Sequence, residues 1–306
     1  MKKVTLTSLL CCLVLPNIYA QEVALTFDDA PRHGSSLMNG DEITEKIVTG
    51  LKDSGVDDAL FFVTTKNITN ETALQRLEAY VDAGFHLANH SHSHQSAEKL
   101  SPKDYLADFY TSHLISQDFP GLMKLHRFPF LHQPETIADR QTIRQGITEL
   151  GYDYGYVTID NYDWYLNSKL VQAHENGLTI NHENMKKLYL DSMWESIQFY
   201  DQIARESLER SPKHVLLLHE NEIAALFIRD LVKHIKSKGG TIISPEEAYT
   251  DPIAKLYSVE QEFNKQGRVA AIAYSQGLAK EELRHSSENT DYLDEKLKEY
   301  NVFSVD

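Results

Sequence analysis

The sequence has few features, apart from an ordinary core, that could hold the chain together. Among its 306 residues there are only two cysteines, Cys11 and Cys12, and both lie in the first 20 residues. Residues 21–306 therefore have no disulfide framework, so a full-sized hydrophobic core must stabilise them. No apolar run reaches the roughly 20 residues that a membrane-spanning helix needs. Glycine and proline are scarce, at 14 and 9 residues, which argues against a disordered chain.

Positive charge is also in short supply. Lysine and arginine total 30 against 45 aspartates and glutamates, which gives a formal net charge of −15. Such a surface repels nucleic acids and anionic polymers, so the sequence predicts no nucleic-acid partner. Neutral or cationic substrates are compatible with this charge.

The first 20 residues have the pattern of a secretory signal peptide. Lys2 and Lys3 precede an apolar stretch at 4–15, and the small residue Ala20 stands before a polar sequence. A buried N-terminal helix is the weaker alternative because a strand pattern begins directly after Gln21. We therefore expect cleavage after Ala20 and export to the periplasm or the extracellular space. Loss of the two lysines would leave 28 basic against 45 acidic residues, a formal charge of −17.

Short apolar runs alternate with helical patterns between residues 21 and 250. A strand followed by a helix, repeated about seven times, predicts an α/β fold with a parallel sheet, open or closed into a barrel. The predicted strands are 23–27, 59–63, 86–88, 122–128, 154–159, 215–219 and 240–243, and the predicted helices are 42–54, 71–83, 102–117, 134–150, 184–209 and 222–238.

Two segments depart from this alternation. Residues 166–183 are predicted to form a loop that borders a substrate groove. Residues 251–306 are helical in pattern and highly charged, and no chemistry is visible in them. We expect a catalytic domain at 21–250 and a helical C-terminal extension at 251–306, packed on the barrel or partly independent of it.

Polar residues follow the predicted strands at their carboxyl ends, where a closed parallel barrel carries its active groups. Five of the predicted strands are followed in this way, by Asp28 and Asp29, His90, Arg127, Asp160 and Asp163, and His219. This recurrence favours a functional over a purely structural origin for these residues.

Three of these side chains have the composition of a divalent metal site. His90 and His94 are four residues apart, which would place both imidazoles on one side of a helical turn. Asp29 adds an oxygen, and three protein ligands with open positions are typical of catalytic zinc sites. Zn²⁺ is the favoured metal, and Co²⁺, Ni²⁺ or Fe²⁺ would suit similar ligands. The alternatives are a polar histidine-rich loop or adventitious metal binding.

Asp28 is predicted to act as the catalytic base. Neighbouring residues of a strand point in different directions, so Asp28 can face the reacting centre while Asp29 binds the metal. It would take a proton as water attacks, and Arg127 would hold it ionised and oriented. A capped loop for the aspartates and a surface ion pair for Arg127 are the structural alternatives.

His219 is predicted to act as the general acid. It ends the apolar run 216–218, where an ionisable side chain is unexpected, and Asp163 would keep it protonated. A satisfied core histidine is the alternative. Trp164 offers a flat apolar surface for a sugar ring or an acetyl methyl group, although core packing suits it equally.

In this order, the motifs resemble those of the polysaccharide deacetylases of carbohydrate esterase family 4, which share the nodulation-factor-deacetylase-like domain. The five matching segments are Thr26-Phe27-Asp28-Asp29, His90-Ser91-His92-Ser93-His94, Arg127-Phe128-Pro129-Phe130, Asp160 to Trp164 and Leu217-Leu218-His219. Any one of them is unspecific, but five in family order are highly specific.

The resemblance implies a distorted (β/α) barrel of about seven strands, open on one side to polymeric glycans. It implies the same base, metal ligands and acid, and it adds the main-chain N–H of Phe130 as a donor to the oxyanion. Ala30 stands where the family usually has glycine, and Phe130 replaces a common tyrosine. The region beyond 250 has no counterpart in the minimal domain.

The leading hypothesis is a secreted, metal-dependent hydrolase that removes acetyl groups from N-acetylated amino sugars. Its substrate would be a polysaccharide or oligosaccharide such as a chitin-like glycan or peptidoglycan, and the bond cleaved is that of a linear amide. The same site would serve an O-acetyl esterase or a hydrolase of small amides. An inactive glycan-binding module is the alternative from another class, but no predicted base, ligand or acid is missing.

Overall fold

The computed structural model describes residues 20–256 and 265–304. The signal peptide predicted for residues 1–20 lies outside them, apart from Ala20. Within the two described ranges, no helix combines the length and the apolar character needed to cross a membrane.

The secondary structure consists of alternating strands and helices, joined by short 3₁₀ turns. The strands are β1 Glu22–Ala30, β2 Leu60–Val63, β3 His86–Asn89, β4 Leu122–His126, β5 Asp153–Tyr154, β6 Thr179–Ile180, β7 His214–His219, β8 Thr241–Ile242 and β9 Phe303–Ser304. The helices are α1 Gly40–Asp53, α2 Glu71–Asp82, α3 Pro102–Ser116, α4 Ile137–Glu149, α5 Asp163–Glu175, α6 His182–Leu208, α7 Glu222–Ser237, α8 Pro245–Tyr249, α9 Arg268–Ser275 and α10 Thr290–Glu299.

Seven strands form one parallel sheet in the order β5-β4-β3-β2-β1-β7, with β8 also beside β1. The two ends of this sheet are brought together by residues 155–159. Gly155 N–H donates to the carbonyl oxygen of His126 on β4 at 2.7 Å, whereas Ile159 pairs with Leu216 on β7. The sheet thereby curls into a distorted barrel, which confirms the predicted fold class.

The fifth predicted strand, 154–159, is wrong as a regular strand. Only Asp153–Tyr154 forms a regular strand. The segment pairs with β4 as far as Gly155 and with β7 at Ile159, so it changes partners within five residues. Gly155 lies against the ring of Phe62, and a Cβ atom there would come within 2.6 Å of that ring. The close approach explains why glycine occupies the point where the chain changes partners.

The central strand β1 explains much of the core. Its residues from Val23 to Phe27 are fully buried, as expected for a parallel strand of an α/β barrel, in which both faces are covered. The Phe27 ring stacks on Phe61 at 4.8 Å, and Phe61 stacks on Tyr80 of α2 at 3.7 Å. These contacts fix the position of β1, whose carboxyl end carries the paired aspartates.

The predicted loop at 166–183 is instead mostly helix, because α5 extends from Asp163 to Glu175. Leu166, Leu170 and Ala173 follow one another at helical spacing and are buried against the barrel. This periodicity was present in the sequence. The segment does border a cleft, since several residues of α5 line it.

The C-terminal extension is helical, as predicted, and shares the main hydrophobic core. Leu283, Leu293 and Val302 are fully buried in that core, α9 packs against α6, and β9 pairs with β6. The extension therefore packs on the barrel. It also brings Lys265 and Arg284 to the edge of the cleft.

Candidate active site

The carboxyl ends of the strands open into one cleft of about 710 Å³, a size typical of sites for small ligands. Its walls include most of the residues predicted to be functional, together with polar groups of the C-terminal extension: Asp28, Asp29, His90, His94, Phe130, Asp160, Trp164, His219, Lys265 and Arg284.

Asp29, His90 and His94 lie together as a potential metal site. One ligand atom from each falls within 4.8 Å of the other two, and Asp29 Oδ1 is 3.0 Å from His94 Nε2. His90 Nδ1 lies 2.9 Å from the carbonyl oxygen of Arg127. Because a carbonyl oxygen only accepts, the proton sits on Nδ1 and leaves the Nε2 lone pair facing Asp29. Two nitrogens and one oxygen therefore fit a divalent transition metal.

The loop at 90–94 is not the helical turn that the spacing suggested. Backbone φ angles of 68° at Ser91 and 57° at His94 place both residues in the left-handed region. Ser91 Oγ accepts the N–H of His94 at 3.1 Å, and the carboxylate of Asp108 on α3 accepts the two N–H groups between them. Side-chain hydrogen bonds thus hold a shape that a helix would not provide.

The electrostatics of two of these groups, His90 and Asp29, favour their deprotonated forms. Burial lowers the pKa of His90 to about 4. Burial raises the pKa of Asp29, but the hydrogen bond from His94 and the nearby imidazoles outweigh it and hold this pKa well below its usual range. Deprotonated ligands are the form that a metal requires.

Asp28 and Arg127 form a buried ion pair beside the metal ligands. Asp28 Oδ1 is 2.5 Å from Arg127 Nη1, while Asp28 Oδ2 is 3.4 Å from His90 Nε2. Arg127 also donates to the carbonyl oxygen of Gly155 and to the Tyr249 hydroxyl, and its guanidinium lies 3.8 Å from the centre of the Phe62 ring. One Asp28 oxygen is thus occupied by arginine, and the other faces the cleft.

His219 and Asp163 form a second pair, in which His219 lines the same cleft as Asp28. His219 Nδ1 is 2.6 Å from Asp163 Oδ1, and His219 N–H donates to Asp163 Oδ2 at 2.9 Å. Burial lowers the pKa of His219, but the Asp163 carboxylate more than offsets this and raises it to about 9. The imidazolium is therefore stable at neutral pH, with its Nε2–H left to face the cleft.

Two aromatic side chains are exposed in the cleft. Phe130 is 56% exposed, and its ring stands edge-on to His94 at 4.5 Å. Trp164 is 42% exposed and rests against Tyr162 and Tyr165. This exposure disfavours core packing for Trp164 and leaves both rings available to a ligand.

Several residues that shape the site were not predicted from the sequence. Tyr249 orients Arg127, Asp108 supports the 90–94 loop, and Lys265 and Arg284 line the cleft. None belongs to a motif. Glu220 was also missed, although the sequence contained a signal for it: an acidic residue directly after a buried apolar strand.

Glu220 anchors the loop that follows β1. Its carboxylate accepts the N–H of Arg32 and the hydroxyl of Tyr80, each at 2.6 Å. Burial raises the pKa of Glu220 to about 7, although these two donors lower it. The side chain is therefore partly protonated near neutral pH.

Glu220→Gln is expected to flatten the dependence of stability on pH. The folded-state pKa lies above the ordinary value of 4.5, so its contribution is complete below pH 4.5 and is lost as pH rises through 7. Between pH 4.5 and pH 8 the unfolding free energy of the wild type should therefore fall by about 3 kcal/mol more than that of the variant. Urea unfolding at both pH values measures this, and the exposed Glu78→Gln should follow the wild type. An equal change in unfolding free energy for Glu220→Gln and the wild type would show that the pKa of Glu220 is not raised in the folded protein.

Fold and site together define a class of protein: an α/β barrel with a potential metal site and flanking acid–base pairs at the carboxyl ends of its strands. The family model described as polysaccharide deacetylase matches residues 18–155. The resemblance seen in the sequence is thereby confirmed.

Solved structures of carbohydrate esterase family 4 are similar in fold. The peptidoglycan deacetylase PdaC from Bacillus subtilis is 20% identical, with 77% of this chain and 92% of that chain covered and a TM-score of 0.47. A family 4 carbohydrate esterase from Streptomyces lividans is 20% identical over 74% and 95% of the two chains, with a TM-score of 0.47. A family 4 pseudoenzyme from Bacillus anthracis is 15% identical over 76% and 66%, with a TM-score of 0.51. At these identities the likeness concerns the fold alone.

Proposed function

We propose that the protein is an exported, metal-dependent hydrolase that removes acetyl groups from N-acetylated amino sugars of a glycan. The observation that carries this proposal is that the three potential metal ligands, Asp28 with its arginine partner, and His219 with its Asp163 partner meet at one cleft. Amide hydrolysis needs both a base for water and an acid for the leaving nitrogen, and the cleft contains one candidate for each.

Asp29, His90 and His94 would hold the metal, for which Zn²⁺ is our first choice. When bound, such an ion acts as a Lewis acid that polarises the acetyl carbonyl and lowers the pKa of water. The fit rests on the lone pair of His90 Nε2, which the bond from Nδ1 to a carbonyl oxygen directs toward Asp29.

The remaining residues would move protons and bind the substrate. Asp28 would take the proton of the attacking water on its free oxygen while Arg127 keeps the carboxylate oriented. His219 would donate its Nε2 proton to the leaving amine, since Asp163 holds the imidazolium form. The main-chain N–H of Phe130 would donate to the oxyanion, and Trp164 would support a sugar ring or the acetyl methyl group.

Acetate release by the purified protein tests this function. The substrates should be N-acetylated chito-oligosaccharides, peptidoglycan fragments, acetylated xylan and a small linear amide. We expect acetate from the first two, loss of activity with a chelator and recovery on adding Zn²⁺. Acetate from xylan alone would indicate the esterase, and glycan binding without any acetate would indicate an inactive module.

His90→Ala is expected to abolish stoichiometric Zn²⁺ binding at micromolar concentrations, as measured by calorimetry on the chelator-treated protein. Removing one of three ligands leaves too few donors for a tight site. His92→Ala is the matched control from the same tract, because His92 Nδ1 bonds Thr65 Oγ1 at 3.0 Å instead of joining the donor set. Equal Zn²⁺ affinity for the wild type and His90→Ala would refute the metal assignment.

A further inference from the structure

The walls of the cleft are tied to one another by contacts between segments that are far apart in the sequence. The Ser36 hydroxyl, in the loop after β1, donates to Glu175 at the end of α5 at 3.3 Å. Arg284 of the C-terminal extension lies close to Tyr162, which directly precedes α5, and both line the cleft. These contacts join the loop after β1 to α5, and α5 to the C-terminal extension.

The C-terminal extension also contacts the turn that contains Phe130, in another wall of the cleft. Lys265 N–H donates to the carbonyl oxygen of Leu131, in the turn next to Phe130, at 3.4 Å, and the Lys265 ammonium is 3.4 Å from Glu98. Four segments of the chain are therefore linked around the cleft: the loop after β1, α5, the C-terminal extension and the turn at Pro129–Leu131. A groove that runs across the protein would need gaps between such walls.

We propose that the C-terminal extension closes one end of the substrate cleft, so that the protein deacetylates the terminal sugar of a chain instead of internal sugars. This inference rests on the proposed deacetylase function. It names the substrate as an oligosaccharide or the end of a glycan chain, with Arg284 as the positioning residue at the closed end.

The chemistry of the closed end suits a terminal sugar. A terminal sugar carries a free hydroxyl where an internal sugar carries a glycosidic bond, so polar groups at a blocked end can distinguish the two. Asp160 lines this region with Arg284 nearby, and Asp160 is almost fully buried. Burial and the Glu288 carboxyl raise the pKa of Asp160 well above its usual range, so its protonated form can both donate and accept. A site built to bond a hydroxyl strongly rejects a ligand that lacks it.

The test uses the full-length, Zn²⁺-loaded protein and N-acetylglucosamine pentamers, with the position of each lost acetyl group determined by mass spectrometric sequencing. The expected product has lost one acetyl group, at one end. Acetate lost from internal sugars would overturn the inference and leave the proposed function intact. No acetate from any substrate would overturn the proposed function itself and this inference with it.

Arg284→Ala should raise KM for the pentamer by about tenfold or more, in line with loss of a charged hydrogen bond, and should yield products deacetylated at internal sugars. Its kcat should change little, because Arg284 lies outside the proton-transfer groups. Arg229→Ala, which removes an exposed arginine paired with Asp53 far from the cleft, is the control and should retain the wild-type product. An unchanged KM and product pattern for Arg284→Ala would refute the positioning role.

Discussion

Asp28→Asn is expected to lower kcat for acetate release by about 10²–10⁴-fold, the usual contribution of a general base. The amide keeps the size of the carboxylate and can still accept the hydrogen bond from Arg127. It cannot take a proton, so only the proton-transfer step is lost. Zn²⁺ affinity should change little, because Asp29, His90 and His94 are untouched. Steady-state kinetics at saturating substrate, together with calorimetry and thermal unfolding, separate these effects.

Asp58→Asn is the matched control for this variant. Asp58 also pairs with a histidine, His86 at 2.8 Å, but Asp58 precedes β2 and His86 begins β3, so the pair lies at the amino ends of these strands, opposite the cleft. Its loss should leave kcat unchanged. If Asp28→Asn retains full kcat with its metal bound, Asp28 is not the base, and its ion pair with Arg127 is structural.

The strands and helices that the sequence predicted correctly are those whose pattern is local. The apolar run ending at Asp28 and the amphipathic pattern of α7 both depend on neighbouring residues alone, and both elements form where expected. The segment 154–159 was mispredicted because its path depends on two partners, β4 and β7, that are distant in sequence. Its apolar composition gave no sign of the change of partner at Gly155.

The candidate site also combines features that the sequence pattern predicts with features that depend on distant parts of the chain. The positions of Asp29, His90 and His94 at strand ends followed from the order of elements, since the carboxyl ends of parallel strands meet at one side. The shape of their loop depends on Asp108, an acid of α3 with no motif of its own. Arg284 reaches the cleft only because the extension folds back onto the barrel, and no pattern in the sequence marks that contact.

Fold alone does not decide whether the protein is active. The family 4 structure from Bacillus anthracis, which is similar in fold, is described as a pseudoenzyme. The proposal for this chain therefore rests on its own side chains: a base with a free oxygen, an acid with a protonating partner, and three ligand atoms within reach of one ion. Each of these can be removed separately by a single substitution.

Asp163→Asn is expected to move the alkaline limit of activity from near pH 9 to a lower pH. His219 must be protonated to act as an acid, so activity is present below its pKa and is lost as pH rises through it. With the Asp163 carboxylate the pKa of His219 is raised to about 9. Without that carboxylate, burial lowers the pKa of His219 and only the weaker influence of the Asp29 and Asp28 carboxylates raises it, so this pKa should fall toward the ordinary 6.5. At pH 8 the protonated fraction, and with it kcat/KM, should fall by up to about 30-fold, the value for a pKa of 6.5.

The quantity to measure is the displacement between the pH–rate curves of the wild type and Asp163→Asn. A bound divalent cation affects the pKa of His219 in both proteins, so it does not contribute to this displacement. Asp201→Asn is the matched control, since His214, at the other end of β7, also pairs with an aspartate: His214 Nε2 is 3.2 Å from Asp201 Oδ1 on α6. That variant loses a comparable buried contact and should lose stability, yet its pH–rate curve should coincide with that of the wild type. Coincident curves for Asp163→Asn and the wild type would instead show that His219 does not supply the proton, and a different donor to the leaving nitrogen would then be required.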